Sequence, residues 1–456
     1  MKNRNRELAF VVIAVLVLSC ITLAGPDDRQ PRGELYGHYE TFARIVNTVR
    51  QQYVDDVEIE ELFQNAYSGM LQGLDPYSAF LPPEALEDLD VETRGEFGGL
   101  GIEITINEQG WLTVITPMEG TPAFEAGVMA GDIIIEIEGE STQGIELRQA
   151  VNKLRGPKGE PVTITVLHET GQERKITIVR DIIELQSIKA AEIIDEDAGI
   201  GYIRLSAFQA NTPQELDEAV ARLKDQGMKA LVIDLRFNPG GLLNSAIQVA
   251  DRFIEEGVIV STKGRAQADR EFKAQKQGTY DDFPVVTLIS RRSASASEIF
   301  AGAMQDHRRG LLVGSRTHGK GSVQTVFPFR ENRSAIRLTT AYYYTPSGRL
   351  IHRRHDDKEQ EEWGIVPDHE VDITLEEEAR LWNHWREQHI RRIREMNDEK
   401  PEVDRPDDER EQPQLPQVDE DTEVDEEPFR DRALEAAVAA LKTVMWTQQQ
   451  GTPARD

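Results

Sequence analysis

Val285-Val286-Thr287-Leu288-Ile289-Ser290-Arg291-Arg292-Ser293-Ala294-Ser295-Ala296-Ser297-Glu298-Ile299 frames the rest of the chain. The opening residues are apolar on both faces and too few for a helix, the pattern of a strand buried in a covered sheet. Small residues then make a turn, and a helix is expected from Ser297 to His307. A hydroxyl at such a junction lies at the sheet edge, where amides share the partial positive charge of the helix N-terminus and can bind an oxyanion. Serine at a helix start is more often a plain cap than a nucleophile, and the stretch alone leaves both roles open.

The same alternation extends outward over about 185–370. Strands are expected at Gly201–Leu205, Ala230–Leu235, Gly310–Gly314 and Val323–Phe327, and helices at Pro213–Gln226 and Leu242–Glu256. Apolar runs alternating with helices predict a mostly parallel sheet covered on its faces. Two other stretches could meet the serine loop. Asp234-Leu235-Arg236-Phe237-Asn238-Pro239-Gly240-Gly241 follows a buried strand, and its glycines either offer N–H groups to a ligand or make a tight turn. In Gly319-Lys320-Gly321-Ser322-Val323-Gln324, a lysine between two glycines can lie close to neighbouring backbone. An extended chain puts Lys320, Ser322 and Gln324 on one face, where a Gln oxygen can orient an amine. A surface lysine in a hairpin is the simpler alternative.

The flanks differ in composition. Residues 34–94 have apolar positions at helical spacing, and 95–181 shift to short glycine-punctuated strands with two short helices. A helix over 373–397 opens with the capping box Thr374/Glu377. The stretch 398–427 holds 15 acids and 3 bases, an acidic, Pro-containing linker expected to be disordered, and 428–456 carries a last helix. At the start, Lys2, Arg4 and Arg6 precede an uncharged run from Leu8 to Gly25, so 1–25 is expected to be a secretory signal or membrane anchor. Val17-Leu18-Ser19-Cys20 is similar to a bacterial lipoprotein box, which would put lipid on Cys20. An uncleaved anchor and ordinary cleavage near Ala24 are the alternatives. Each places the remainder outside the cytoplasm, in a periplasm or cell envelope.

Against 52 Lys and Arg stand 81 Asp and Glu, a net charge of −29, which argues against nucleic-acid binding. The single Cys excludes an internal disulfide framework and multi-Cys metal sites. There is no Gly-x-Ser-x-Gly, Ser-x-x-Lys, His-Glu-x-x-His or Walker motif, and neither a metal nor a cofactor is expected.

Ser-Ala-Ser-Ala-Ser-Glu, Gly-Lys-Gly-x-Val-Gln, Arg-x-Asn-Pro-Gly-Gly, the run from Thr339-Thr340-Ala341 to Thr345-Pro346-Ser347-Gly348, and Gly364-Ile365-Val366-Pro367-Asp368 together resemble the C-terminal processing peptidases over about 35–370. The resemblance implies an α+β multidomain chain: a mixed α/β Ser-Lys protease core (182–372) of the crotonase/ClpP-like kind, an inserted PDZ domain (95–181) and flanking helices. It places the nucleophile on Ser295, the base on Lys320 and the orienting glutamine on Gln324. Oxyanion donors would be the amide of Ala296 and one from Gly240 or Gly241, with Ser293 structural and Ser297 capping the helix. Within the PDZ domain, Phe97-Gly98-Gly99-Leu100-Gly101-Ile102 would be the carboxylate-binding loop, Gly99, Leu100, Gly101 and Ile102 receiving a peptide terminus. Leu100, Ile102 and the helix Leu147–Leu154 would line a pocket for its last side chain, and Arg155 would take part in gating. Expected partners are proteins with exposed apolar tails, an adaptor or activator, and a second copy through the N-terminal or last helices. Phe237, His318 and Tyr342 depart from the family pattern and bear on substrate fit. A non-catalytic scaffold for C-termini and an acyl hydrolase are the rival readings.

Overall fold

The computed structural model describes residues 32–168, 170–266, 268–354, 362–398 and 429–450. The signal or anchor with Cys20, and the acidic linker from 399 on, lie outside the described residues. The chain forms two compact units that divide after Phe80. In the first, α1 (Arg32–Gln52) and α2 (Ile59–Gln72) meet through Phe42 and Phe63, edge to face at 5.8 Å, and Phe63 also packs on Tyr67 of its own helix at 6.0 Å. A short strand, β1 (Ala79–Leu81), falls at the boundary.

In the second unit, α3 (Pro83–Arg94) stops at Gly95, whose φ of +75° lets its N–H close on Val91 O. β2 (Glu96–Gly99) then pairs with β9 (Asp181–Glu184) as the two-stranded neck of an inserted module. Inside it, β3 (Ile102–Ile106), β4 (Leu112–Pro117), β5 (Ile133–Ile137), β7 (Pro161–Leu167) and β8 (Glu173–Val179) form an antiparallel sheet in that order, with β6 (Glu140–Ser141) beside β5. Two helices, α4 (Pro122–Glu125) and α5 (Leu147–Leu154), complete it. Leu112, Ile134, Ile164 and Ala150 fill its core, and β3 is left at the sheet edge.

The larger sheet has the order β10 (Ile188–Asp195), β11 (Ile200–Leu205), β12 (Ala230–Asp234), β15 (Val285–Ile289), β16 (Gly310–Gly314), β19 (His369–Glu370). All its pairs are parallel except β10 with β11. Every residue of β12 and β15 is buried, because helices cover both faces. One face packs on α6 (Thr212–Asp225), α7 (Leu243–Asp251) and α8 (Ala296–Asp306). The other receives α10 (Arg432–Gln450), whose Ala433, Ala437 and Leu441 lie fully buried against Tyr202, Val232, Val286 and Leu288. The apolar face of the last helix is therefore spent within the chain, although Trp446 stays exposed. Beside this core an antiparallel sheet runs in the order β17 (Ser322–Phe329), β18 (Ser334–Tyr344), β13 (Val258–Lys263), β14 (Arg270–Lys273). The capping box of α9 (Leu375–Asp398) forms: Thr374 N donates to Glu377 Oε2 at 2.7 Å, and Glu377 N to Thr374 Oγ1 at 3.1 Å. No described helix is long and apolar enough to cross a membrane.

Candidate active site

Because β12, β15 and β16 are parallel neighbours, the segments that follow them leave the same edge of the sheet. These are the Arg236–Gly241 loop, the serine loop and the lysine loop, and that edge is where α/β sheets bind ligands. The serine loop is anchored by Ser293, whose Oγ donates to Leu235 O at 2.8 Å and accepts from Ser290 N at 2.9 Å. Ser295 has φ +55° and ψ −114°, a conformation that L-residues seldom adopt, and it occupies the cap position of α8. Ser297 is not the cap: it is buried inside the first turn of α8 and donates to Asn238 O at 3.0 Å. The helix starts one turn position earlier than apolar periodicity indicates, because the short residues Ala296 and Ser297 already pack beneath the Asn238 loop.

Glu298 joins the serine and lysine loops. Its carboxylate is fully buried, and Oε2 accepts the backbone N–H of both Ser295 and Lys320, each at 2.8 Å. Two such bonds to one oxygen hold the two nitrogens within about 5.6 Å of each other. Oε1 accepts from Gly319 N at 2.7 Å and from Thr317 Oγ1 at 2.6 Å, and Thr317 Oγ1 accepts Ile365 N–H. Burial raises the Glu298 pKa against the pull of these donors. Ser295-x-x-Glu298 has capping-box spacing, the signal from which this residue could have been found.

Lys320 is held through its backbone, with its N–H on Glu298 and its carbonyl accepting from the Tyr343 hydroxyl. The flanking glycines do what the sequence suggests. Gly319 has φ +86°, and a Cβ on Gly321 would come within 2.7 Å of the His352 nitrogen. The Lys320 pKa is lowered, first by burial and then by the Arg337 charge, with Glu298 and Glu92 opposing. Gln324 Nε2 donates to Ser322 Oγ at 2.9 Å and to Thr339 Oγ1 at 3.4 Å, so its Oε1 remains as the acceptor end. A bulge between Val323 and Gln324 interrupts simple strand alternation here. His318 is exposed, its N–H donating to Ser293 O at 3.0 Å.

Of the two loop glycines, Gly240 spends its N–H on Asn238 Oδ1 at 2.9 Å, which removes it from the expected donors. Gly241 is exposed at the mouth of the loop. The loop lies against Ser295, since a Cβ on Gly240 would come within 2.8 Å of both Ala296 N and Ser295 Cβ. In the inserted module, the carbonyls of Leu100 and Gly101 accept from Ala123 N and Met118 N. Gly101 has φ +77° and leaves no room for a Cβ beside Thr121. Leu100 is buried in the module's core rather than lining an open pocket, while Ile102 is half-buried and Leu147 exposed.

The sequence profile of peptidase family S41 matches residues 199–371, and that of the PDZ domain matches 88–167. A carboxy-terminal-processing protease of Bartonella bacilliformis is 42% identical over 380 residues, covering 82% of this chain and 84% of its own. The chain belongs to peptidase family S41. A carboxyl-terminal-processing protease of Synechocystis is 38% identical over 333 residues, 72% of this chain and 75% of its own. A solved photosystem II D1 C-terminal processing protease aligns with 73% of the chain and 92% of its own at 30% identity, with a TM-score of 0.41. This S41 peptidase is thus a serine-type peptidase of mixed α/β architecture carrying a PDZ domain. Among its described residues no group of three or more His, Cys, Asp or Glu is placed to hold a metal.

Proposed function

We propose that the chain is an endopeptidase that cleaves proteins near their C-termini through a Ser295–Lys320 dyad. The observation that carries this reading is the single buried carboxylate of Glu298, which binds the backbone of both residues, with Lys320 partly desolvated beside it. A neutral Lys320 amine takes the Ser295 hydroxyl proton as Oγ bonds to the scissile carbonyl carbon. The resulting oxyanion is received by the N–H groups of Ala296 and Gly241, each worth on the order of 3–4 kcal/mol in such sites. The C–N bond then breaks, and the Lys320 ammonium returns its proton to the leaving amine. Water adds to the acyl-enzyme with Lys320 again as base, releasing the acid and restoring Ser295. Gln324 Oε1 accepts from the lysine amine and directs it.

The PDZ module supplies tail recognition. Its edge strand β3 can pair with an extended peptide, while the amides of Gly99, Leu100, Gly101 and Ile102 receive the terminal carboxylate. Ile102, Ile104 and α5 make that groove apolar, which favours tails ending in apolar residues. The core is of the crotonase/ClpP-like kind in this reading. The chain is exported and held at the membrane by its first 25 residues or by lipid on Cys20, and it works as a homo-oligomer or with an adaptor. The test uses an unstructured peptide with an apolar C-terminus. Wild type cleaves it, Ser295→Ala and Lys320→Ala do not, and a charged C-terminus weakens binding. Cleavage that persists in Ser295→Ala overturns the dyad.

A further inference from the structure

The loop carrying Gly240 and Gly241 is gripped by parts of the chain that follow the 199–371 catalytic region. Arg236, 5% exposed, forms two forked ion pairs. One goes back to Asp234, with Nη2 to Oδ2 at 2.6 Å, and Asp234 also accepts from Tyr202 OH at 2.8 Å. The other goes forward to Asp431, Nη1 to Oδ1 and Nη2 to Oδ2 both at 2.8 Å. Asp431 stands just before α10 and accepts Leu434 N–H at 3.0 Å, so the residue that caps the helix also fixes the arginine. Phe237 comes next with φ +62°. Its ring meets two indoles of α9, Trp382 at 5.4 Å and Trp385 at 5.5 Å. A left-handed phenylalanine is strained by about 1–3 kcal/mol, and two aromatic contacts at about 0.5–1.5 kcal/mol each are of the size needed to hold it. Asn238 transmits the conformation: buried, it donates to Leu205 O, accepts Gly240 N–H, and takes Ala294 N–H and the Ser297 hydroxyl on its carbonyl.

We propose that Trp382, Trp385 and Asp431 are positioning residues for the oxyanion hole, a C-terminal clamp that sets Phe237 and Arg236 so that the Gly241 N–H stays beside that of Ala296. The clamp rests on the dyad reading above. If α9 lets go, Phe237 relaxes toward negative φ, the peptide planes after it turn, and the hole loses a donor, while the backbone N–H groups of Ser295 and Lys320 are still held by Glu298. Trp382 is 53% exposed and can be altered without opening the core, while Trp385 is half-buried beneath Arg204 and Arg236.

The experiment uses the full chain with Trp382→Ala/Trp385→Ala, the conservative Trp382→Phe/Trp385→Phe, and Asp431→Asn. Two readouts are compared: turnover of the apolar-tailed peptide, and inhibition by a peptide aldehyde and by the matching alcohol. Ser295 Oγ adds to the aldehyde carbon and its proton passes to Lys320, leaving an oxyanion in the hole; the alcohol binds without adding. Removing a whole donor costs about 10²–10³-fold in such enzymes, so a displaced one is expected to lower kcat by about tenfold or more, with KM within twofold. Aldehyde affinity falls in step, alcohol affinity holds, and the Phe pair recovers most of both. Wild-type kcat and aldehyde affinity in both clamp variants overturn the proposal, as does a fall in kcat with aldehyde affinity unchanged. Should the double variant melt, Trp382→Ala alone decides by the same criteria. Cleavage retained by Ser295→Ala would instead mean that the dyad reading itself is wrong.

Discussion

Replacing Glu298 by glutamine changes one atom, and the surroundings of that atom set the outcome. All four groups around the carboxylate donate: the N–H of Ser295, Lys320 and Gly319, and the Thr317 hydroxyl, whose proton is directed at Glu298 because its oxygen already accepts from Ile365. An amide has only one acceptor end. With its NH2 at the Oε2 position it opposes two backbone N–H groups; at the Oε1 position it opposes Gly319 N–H and forces Thr317 to turn. Either way two bonds to a charged group are lost, about 1.5–3 kcal/mol each, so about 3–6 kcal/mol no longer hold the two loops together. A displacement of about 1 Å at a reacting pair costs on the order of 10²-fold in rate. Glu298→Gln is therefore expected to lower kcat/KM at least that far, and Glu298→Asp, too short to reach both loops, comparably. The assay is peptide turnover, paired with the rate at which a fluorophosphonate labels Ser295 and with thermal melting. A Glu298→Gln chain that melts like wild type and keeps kcat/KM within threefold would refute the view that this carboxylate assembles the dyad.

Other expectations follow from the same geometry. Activity should rise with pH through one ionisation lying below the ordinary lysine value of about 10.4, since burial and Arg337 lower Lys320 and only the neutral amine is a base. The same shift means that the unfolded chain binds more protons between the two values, so stability at this site also rises with pH across that window; a pH–rate profile flat down to pH 5 would contradict it. Gly101→Ala, at φ +77° and 2.3 Å from Thr121 Cβ, should weaken tail binding tenfold or more, measured by anisotropy of a labelled peptide in a Ser295→Ala background. Ala437→Asp buries an unpaired carboxylate against the sheet at a cost of several kcal/mol. That is much of the 5–15 kcal/mol stabilising an ordinary domain, so its melting temperature should fall sharply while that of an exposed Gln448→Asp control should not.

The parallel sheet was legible because three of its inner strands, β11, β12 and β15, are short apolar runs each followed by a helix, and Gly310–Gly314 also falls where the pattern puts it, as does the helix Leu147–Leu154 in the inserted module. Of the second sheet only the strand expected at Val323–Phe327 was, and it lies in the antiparallel β17 rather than in the parallel sheet. β13 reads Val-Ile-Val-Ser-Thr-Lys and β18 mixes three tyrosines with Arg337 and Thr339, so neither gives a clean alternation, and their pairing depends on residues some 80 positions apart. Ser295, Lys320 and the loop glycines could be named from motif order. The choice between Gly240 and Gly241 could not, because it turns on where the Asn238 side chain points. The place of α10 was equally hidden: an alanine-rich amphipathic helix suits a partner as well as its own sheet, and only the folded chain shows which face it covers.

Two of the five non-glycine residues with positive φ among the described residues stand with one buried and one half-buried charged group at one sheet edge. Ser295 and Phe237 carry positive φ, Glu298 is a fully buried carboxylate, and Lys320 is held where its charge is disfavoured. Each would relax if the loops separated, so the stability that keeps them together must come from elsewhere. The two covered faces of the sheet supply it. Six large apolar residues under α10 alone (Ile200, Tyr202, Val232, Val286, Leu288 and Val313), at about 1.5–3 kcal/mol each on full burial, bring of order 10 kcal/mol, several times the strain of any one site residue. The helix that covers them is capped by Asp431, the residue that holds Arg236 at the foot of the Gly240–Gly241 loop. The surplus from the sheet and the strain at the site therefore meet in one ion pair, and a change there should be felt in catalysis before it is felt in folding.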